Sequence, residues 1–314
     1  MKRILEQVNA ARTIALLPHV RADGDSIGSC HAMAELLREL HKEPVILLEE
    51  EPLSRFSYLP LSYRVYGGEP EEFDLVIAID CADSDRLGKR AALFRGRTAC
   101  IDHHATGVPM GEVSYVDPHA AAAAELIYLF AEEAGVMNLS AAAGIYTGLS
   151  TDSGSFRYSN TTPRTLRIAA RLIELGLDTA EINRRLYEEV TLGSLRFQAE
   201  CVEQMQLFSE GKIAVTVLTL ERAAKLGLTP DDTEGGGSLM LSIRGVCAGA
   251  FFHEREPGSY KVSLRANRLV DVAQIAAAHG GGGHLRASGY TAAGPLQEEM
   301  QTLVAQIQEQ LGAL

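Results

Sequence analysis

The chain has 314 residues, 46% of them hydrophobic and 22% charged, and carries a formal net charge of −12. That length suggests two domains with well-formed cores. The acidic balance argues against a protein that coats long nucleic acid, because such binding needs Lys and Arg to neutralise many phosphates. A short anionic ligand stays compatible with it, since bound cations can supply positive charge locally. No apolar run reaches the length of a membrane span, and Met1-Lys2-Arg3-Ile4 leads into a mixed polar helix rather than a signal core. A cytoplasmic protein is expected. Cys30, Cys81, Cys100, Cys201 and Cys247 are odd in number and lack CxxC spacing, so they read as reduced thiols, with Cys81 and Cys100 as small hydrophobes in strands.

In chain order, residues 4–11 read as a short helix covering an edge and 13–18 as a buried-type strand. The polar turn His19-Val20-Arg21-Ala22-Asp23-Gly24-Asp25 follows. Asp25 or Ser26 can then N-cap a helix through Leu40, with Ile27, Met33, Ala34, Leu37 and Leu40 on its apolar face. Gly28 removes a side chain from the first turn, where a neighbour can approach closely. Residues 45–48, 75–79 and 98–101 give three more strands, with a helical connection around 85–94. This alternation predicts an α/β domain, a mostly parallel sheet with helices on both faces. Pro118 and the alanine run 120–124 open a long helix ending near Gly135, and helices over 140–149, 163–175 and 179–190 follow. A helical stretch, 192–208, joins the domains. Strands over 213–219, 246–254 and 260–266 and helices over 272–278 and 296–311 make a smaller α+β domain. The division expected is 1–190, a linker 191–208, and 209–314.

Three predicted strands end in metal-ligand residue types. His19, Asp23 and Asp25 follow the first, Asp80 and Asp83 the third, and Asp102-His103-His104 the fourth. In an open α/β sheet ligands gather outside the carboxyl ends of the strands. Each segment also has a plain structural use: a solvated turn with an Asp cap, a helix N-cap at Asp80, a capping His pair. Asp152, in Thr151-Asp152-Ser153-Gly154-Ser155, reads alone as an ordinary turn residue after a helix. Together the four segments supply only hard oxygen and imidazole donors, which suits Mn²⁺, with Mg²⁺ or Co²⁺ as alternatives, better than a structural zinc. In the second domain the glycine-rich run 280–283, then His284-Leu285-Arg286-Ala287-Ser288-Gly289, reads as a backbone nest for an anion, against the alternative of a flexible linker. Lys261, Ser263 and Arg265 alternate along a strand and share one face, a solvated stripe or a phosphate clamp.

The stretch His19 to Ser29, Asp80, Asp102-His103-His104 and Thr151 to Phe156 resemble the successive signature motifs of the DHH phosphoesterase superfamily. Ser263-Leu264-Arg265, Gly281-Gly282-Gly283-His284 and Arg286-Ala287-Ser288-Gly289 resemble the substrate-binding domain of its RecJ-like branch. The resemblance covers nearly the whole chain, with the motifs in order. The length, without added domains, favours the bifunctional oligoribonuclease and pAp phosphatase group, the nano-RNases.

That resemblance implies a two-metal phosphodiesterase and phosphatase, with 1–190 as the DHH catalytic domain and 209–314 as the DHH-associated substrate-binding domain. His19, Asp23 and bridging Asp80 would hold one Mn²⁺, and Asp25, Asp80, His103 and Asp152 the other. Asp102 would orient the histidines, and His104 would stabilise or protonate at the scissile phosphate. Arg265, Gly282, Gly283, His284, Arg286 and Ser288 would hold the substrate. The expected substrates are short 5′-phosphorylated oligoribonucleotides and pAp, with no long duplex and no membrane, and a homodimer is left open. The competing expectations are turnover of cyclic or linear dinucleotide messengers, and a nucleotide-sensing protein without turnover.

Overall fold

Short runs of branched apolar residues build the first sheet. The computed structural model describes residues 1–104, 110–233, 235–267 and 269–312, the side chain of His284 excepted. Its chain divides into two compact units, Met1–Glu189 and Val190–Leu314. In the first unit the strands are β1 (Thr13–Leu17), β2 (Glu43–Leu48), β3 (Tyr63–Val65), β4 (Leu75–Ile79), β5 (Thr98–Asp102) and β6 (Val113–Val116). They pair in parallel in the order β3-β2-β1-β4-β5-β6. β4 and β5 are buried along their whole length, as a parallel sheet covered on both faces requires. The strand order reverses between β1 and β4, and the crevice outside their carboxyl ends is the natural ligand position of such a sheet.

One face of this sheet carries α1 (Lys2–Asn9), α2 (Gly24–Glu39), α3 (Ala123–Ala134) and α4 (Leu139–Asp152), packed through residues such as Ile4, Ile27, Met33, Ile127, Phe130 and Ile145. The other face is covered by Leu87 and Leu93 of a 3-10 segment, Ser84–Leu93, kinked at Gly88. α5 (Pro163–Glu174) and α6 (Thr179–Asn183) complete the unit. The neighbour that Gly28 admits is α4. A Cβ on Gly28 would lie 2.4 Å from the Gly144 carbonyl oxygen, and one on Gly144 would lie 2.5 Å from that of Gly28. The two helices therefore cross backbone to backbone.

The second unit contains α7 (Leu192–Glu203), β7 (Gln206–Phe208), β8 (Ile213–Leu218), α8 (Leu220–Leu226), α9 (Gly236–Leu239), β9 (Ala248–Glu256), β10 (Ser259–Ala266), α10 (Val272–Ala278), β11 (Gly282–His284), β12 (Ala287–Ala293) and α11 (Leu296–Gly312). Its sheet order is β11-β12-β10-β9-β8-β7, antiparallel except for the β8–β9 pair. β10 alternates strictly, with Val262 and Leu264 buried against residues of α10 and α11, and Lys261, Ser263 and Arg265 on the opposite face.

Several boundaries differ from the sequence expectation, each for a local reason. α2 starts at Gly24 because Asp23, not Asp25 or Ser26, caps it. α3 starts only at Ala123, since the preceding alanines form the turn that leads into it. α4 continues to Asp152, which is thus a last-turn residue rather than a loop residue. The stretch 192–208 is not one helix; it stops at Glu203, and β7 follows. The glycine run is not a free turn, because Gly282 and Gly283 belong to β11 and pair with β12.

Candidate metal centre

The ends of β1, β4 and β5 and the last turn of α4 bring six side chains together. His19 follows β1, is buried, and donates its Nδ1–H to the Val20 carbonyl at 2.7 Å. That bond fixes the proton on Nδ1 and leaves the Nε2 lone pair directed at carboxylates, 3.6 Å from Asp23 Oδ2 and 3.6 Å from Asp80 Oδ2. Asp23 divides its carboxylate: Oδ1 accepts the Asp25 and Ser26 N–H groups to cap α2, while Oδ2 faces His19.

His103 repeats this arrangement on β5. Its Nδ1–H donates to the Ala120 carbonyl at 3.3 Å. Its Nε2 lies 3.5 Å from Asp80 Oδ1, 3.6 Å from Asp152 Oδ2 and 3.7 Å from Asp25 Oδ2. Asp80 is therefore turned to both histidines at once, one oxygen to each, from a backbone with φ of +60°. That left-handed conformation is one Asp tolerates better than most residues, and Asp80 Oδ1 is buried with no hydrogen-bond partner among the described residues.

Asp25 is held by the start of α3. Its Oδ2 accepts the Ala123 N–H at 2.6 Å, and its Oδ1 accepts the Ala124 N–H at 2.9 Å and the Ser29 hydroxyl at 3.0 Å. The carboxylate of α2 thus does the capping that Ala122, with no side-chain oxygen, cannot do for α3. Gly148 makes room for it, since a Cβ there would lie 2.5 Å from Asp25 Oδ1. Asn160 steadies the opposite wall, donating from Nδ2 to the Ala121 carbonyl at 3.0 Å and the Asp152 carbonyl at 3.1 Å. Behind it, buried Glu125 accepts from Arg164 and from the Thr165 hydroxyl, and Arg164 also reaches Asp117 at 2.8 Å.

The electrostatics follow from this crowding. Burial and the neighbouring charges of Asp80 and Asp152 push the Asp25 carboxyl well up. Burial, with Asp80 and Asp23 nearby, pushes Asp152 up to about 7. Burial opposes charge on His103, yet the carboxylates of Asp80, Asp25 and Asp152 raise it to about 10. Such a cluster needs either protons or cations between its members. Hard oxygen and imidazole donors fall into the groups His19–Asp23–Asp80, Asp25–His103–Asp152 and Asp80–His103–His104, each with its donor atoms within 4.8 Å of one another. With the unpartnered Asp80 oxygen, this donor set fits divalent cations.

His104 donates its Nδ1–H to Asp102 Oδ1 at 2.7 Å. Burial works against charge on Asp102, and the bond from His104 with both nearby imidazoles holds its carboxyl below the ordinary range. All eight residues expected at the metal and catalytic positions are thus in one neighbourhood. The sequence reading passes over Asn160, Glu125 and Arg164. Only Asn160, eight residues beyond Asp152 and just before a capped helix, carries a sequence signal, and an Asn there is also ordinary turn chemistry.

The six residues expected to hold substrate lie in the second unit and separate into two groups. Arg265 is on the polar face of β10, with Nη1 donating to the Leu264 carbonyl at 2.9 Å and Gly237 of α9 beneath its stem. Gly282 has open space where a side chain would stand, in register with Gly289. His284 registers opposite Ala287, which registers opposite Arg265; its side chain lies outside the described residues. Gly283, at φ +140°, is required by the hairpin itself, since a Cβ would come 2.6 Å from Ser288 Cα. Arg286 donates to the Val270 carbonyl at 2.5 Å. Ser288 departs from the expectation: it pairs with Leu264 on the core face, is buried, and its hydroxyl donates to the Val272 carbonyl.

The profile of the DHH family N-terminal domain matches residues 13–149, and that of the DHHA1 domain matches residues 210–313. The chain is 32% identical over 292 residues to the bifunctional oligoribonuclease and PAP phosphatase NrnA of Bacillus subtilis, covering 91% of each chain. It is 29% identical over 317 residues to the NrnA of Thermus thermophilus, covering 99% of this chain and 94% of that one. Among solved structures, an exopolyphosphatase-related protein from Bacteroides fragilis matches with a TM-score of 0.93 at 24% identity, over 99% of this chain and 96% of that one. RecJ from Thermus thermophilus in complex with Mn²⁺ matches with a TM-score of 0.55 at 16% identity, over 99% of this chain and 54% of that one. Those two likenesses bear on the fold.

Proposed function

The chain belongs to the DHH family, and on that premise we propose that it is a metal-dependent phosphoesterase that hydrolyses short 5′-phosphorylated oligoribonucleotides to mononucleotides and converts pAp to AMP. The observation that carries this reading is Asp80, whose two oxygens face His19 and His103 separately, one of them buried and unpartnered. His19, Asp23 and Asp80 would hold one cation, and Asp25, Asp80, His103 and Asp152 a second, with Mn²⁺ the ion best matched to the donors. When bound, such a pair makes water nucleophilic near neutral pH and draws charge from the phosphoryl oxygens.

The remaining work falls to the chain's own groups. The carbonyls of Val20 and Ala120 keep the proton on Nδ1 of His19 and His103, so each Nε2 is available as a donor. Asp102 orients His104 through Nδ1–H, which supports His104 as the residue that meets the developing charge or passes a proton to the leaving oxygen. In the second unit Arg265 and the open backbone at Gly282 would bind phosphate, and Arg286 would act through the hairpin it braces. The small acidic chain suits short substrates, because long ones depend on extended basic surface.

The test is a time course with Mn²⁺ on a 5′-phosphorylated ribotrinucleotide, pAp and a cyclic dinucleotide, with Asp80→Asn as control. Mononucleotide release together with AMP formation, both abolished in the control, is the expected result. Cleavage of the cyclic substrate alone would reassign the protein to messenger turnover. Nucleotide binding with no turnover of any substrate would make it a sensor.

A further inference from the structure

Asp83 follows β4 together with Asp80 but has a different task. Its Oδ1 accepts the Arg86 N–H at 3.1 Å and so caps the 3-10 segment Ser84–Leu93. The next link runs to the candidate centre: Val20 donates its N–H to the Arg86 carbonyl at 2.8 Å, and the Val20 carbonyl accepts from His19 Nδ1. Gly88 then turns the chain at φ +58°, where a Cβ would lie 2.6 Å from Val20 Cγ1. Beyond the turn Arg90 is fully buried. Its Nε donates to the Leu87 carbonyl at 3.1 Å and lies 3.4 Å from Glu49 Oε2, and its Nη1 donates to the Leu47 carbonyl at 2.8 Å. A buried guanidinium is costly to place, and here it clamps the segment to the end of β2. The backbone of Arg86 is thereby fixed beside His19.

These anchors use only the backbone of Arg86. Its side chain is partly buried, and the guanidinium makes no hydrogen bond or ion pair among the described residues. Its charge is nevertheless felt in the centre. Partial burial opposes charge on Asp23, but the imidazole of His19, the Ser26 N–H and the positive charge of Arg86 hold its carboxyl down to about 2. Burial also opposes charge on His19; Asp23 and Asp80 favour it, and Arg86 works against it. The guanidinium is thus within electrostatic reach of this corner without being neutralised by Asp23, whose side chain still meets solvent. Asp23 and Asp80 repel an arriving anion. A guanidinium held at the same mouth offers it parallel N–H groups for two oxygens.

We propose, resting on the phosphoesterase reading above, that Arg86 is a phosphate-binding residue of the first unit, its guanidinium taking non-bridging oxygens of the reacting phosphoryl group at the His19–Asp23–Asp80 corner. Asp83, Gly88 and Arg90 are then positioning residues, which hold the Arg86 backbone at a fixed distance from Val20 and His19. The plain alternative is that Arg86 only tunes or braces the cation ligands beside it. The two differ in what its removal does. A brace or tuner changes cation affinity, whereas a phosphate contact changes anion affinity and leaves the cations in place.

The full chain would be compared as wild type, Arg86→Ala and Arg86→Lys, with melting temperatures confirming that each folds. Mn²⁺ binding would be read by electron paramagnetic resonance of the free ion, and inorganic phosphate binding to the Mn²⁺-loaded protein by titration calorimetry. In Arg86→Ala, Mn²⁺ affinity should hold or tighten, because a repelling charge is gone, while phosphate affinity falls ~10-fold or more. Turnover, as kcat/KM, should fall ~100-fold on the 5′-phosphorylated ribotrinucleotide and on pAp alike, since both present a phosphoryl group to the same corner. Arg86→Lys should recover part of each loss, keeping the charge without the fork. Wild type that binds no phosphate, unchanged phosphate affinity in Arg86→Ala, a fall in its Mn²⁺ affinity, or a turnover loss confined to one substrate would each overturn the assignment. Wild type that hydrolyses neither substrate would sink the phosphoesterase reading instead, and the phosphate titration would still decide the role of Arg86.

Discussion

Removing a carboxylate from the candidate metal centre should stabilise the metal-free protein, and the pH at which it does so is set by Asp152. Its carboxyl moves from an ordinary 3.8 to about 7 because burial and Asp80 and Asp23 disfavour its charge. The folded form thus holds a proton that the unfolded chain has released, and stability falls as pH rises from about 4 to about 7. A displacement of that size corresponds to ~4 kcal/mol before screening. Asp152 is 33% exposed, so ~2 kcal/mol is a better figure. In a unit of this size that is a melting shift of ~4–8 °C. His103, raised to about 10, stabilises fully below its unfolded value of 6.5 and loses that contribution as pH rises toward 10, so it acts in the same direction at higher pH. His31, lowered by burial, acts oppositely below 6.5, which is why the comparison must be made against a variant. After chelation, Asp152→Asn should melt with wild type near pH 3 and above it by that margin at pH 7.5, read by scanning calorimetry. Excess Mn²⁺ should reverse the order at pH 7.5, because only wild type keeps the full donor set. An Asp152→Asn protein that is less stable than metal-free wild type at both pH values would refute the repulsion argument.

Gly28→Ala should destabilise the first unit by at least ~2 kcal/mol, because its Cβ would meet the Gly144 carbonyl at 2.4 Å and force α2 from α4; urea unfolding would measure it, and a neutral result would mean the helices can slide apart. Arg164→Ala should cost ~3 kcal/mol, since it leaves buried Glu125 without its cation, whereas Arg164→Ala combined with Glu125→Gln should recover much of the loss. Asn160→Ala frees the carbonyls of Ala121 and Asp152 and should weaken Mn²⁺ binding ~10-fold in titration calorimetry, with a smaller effect on stability.

The candidate ligands from β1, β4 and β5 were legible because each follows a run of apolar residues that ends abruptly in carboxylate or imidazole. Their convergence was legible only through the strand-end rule, since a sequence does not state strand order. Asp152 was harder to place, because small residues hide the boundary of α4: Thr151 and Ser153 both bond back into the helix, to the Thr147 and Leu149 carbonyls. The late start of α3 was hidden for a different reason. Alanine favours helix at every position from 120 to 124, but Asp25, about a hundred residues earlier, supplies the cap and decides where the helix begins. In the second unit the glycines suggested a nest. Backbone contact with β12 at Gly281 and Gly283 makes them hairpin residues first, leaving Gly282 as the open position.

As a ligand, Asp25 would also tie metal binding to the fold. One carboxylate lies within 3.7 Å of His103, caps α3 through two N–H groups, and sits over Gly148 of α4. The N-terminus of α3 favours its charge, while Asp80 and Asp152 oppose it. A cation among these groups removes the opposing interaction without disturbing the cap. Metal binding should therefore tighten the packing of α2, α3 and α4 together, which predicts slower amide exchange at Ala123, Ala124 and the last turn of α4 on adding Mn²⁺. Slowing confined to the strand ends, with those amides unchanged, would mean that the cap and the metal centre are independent.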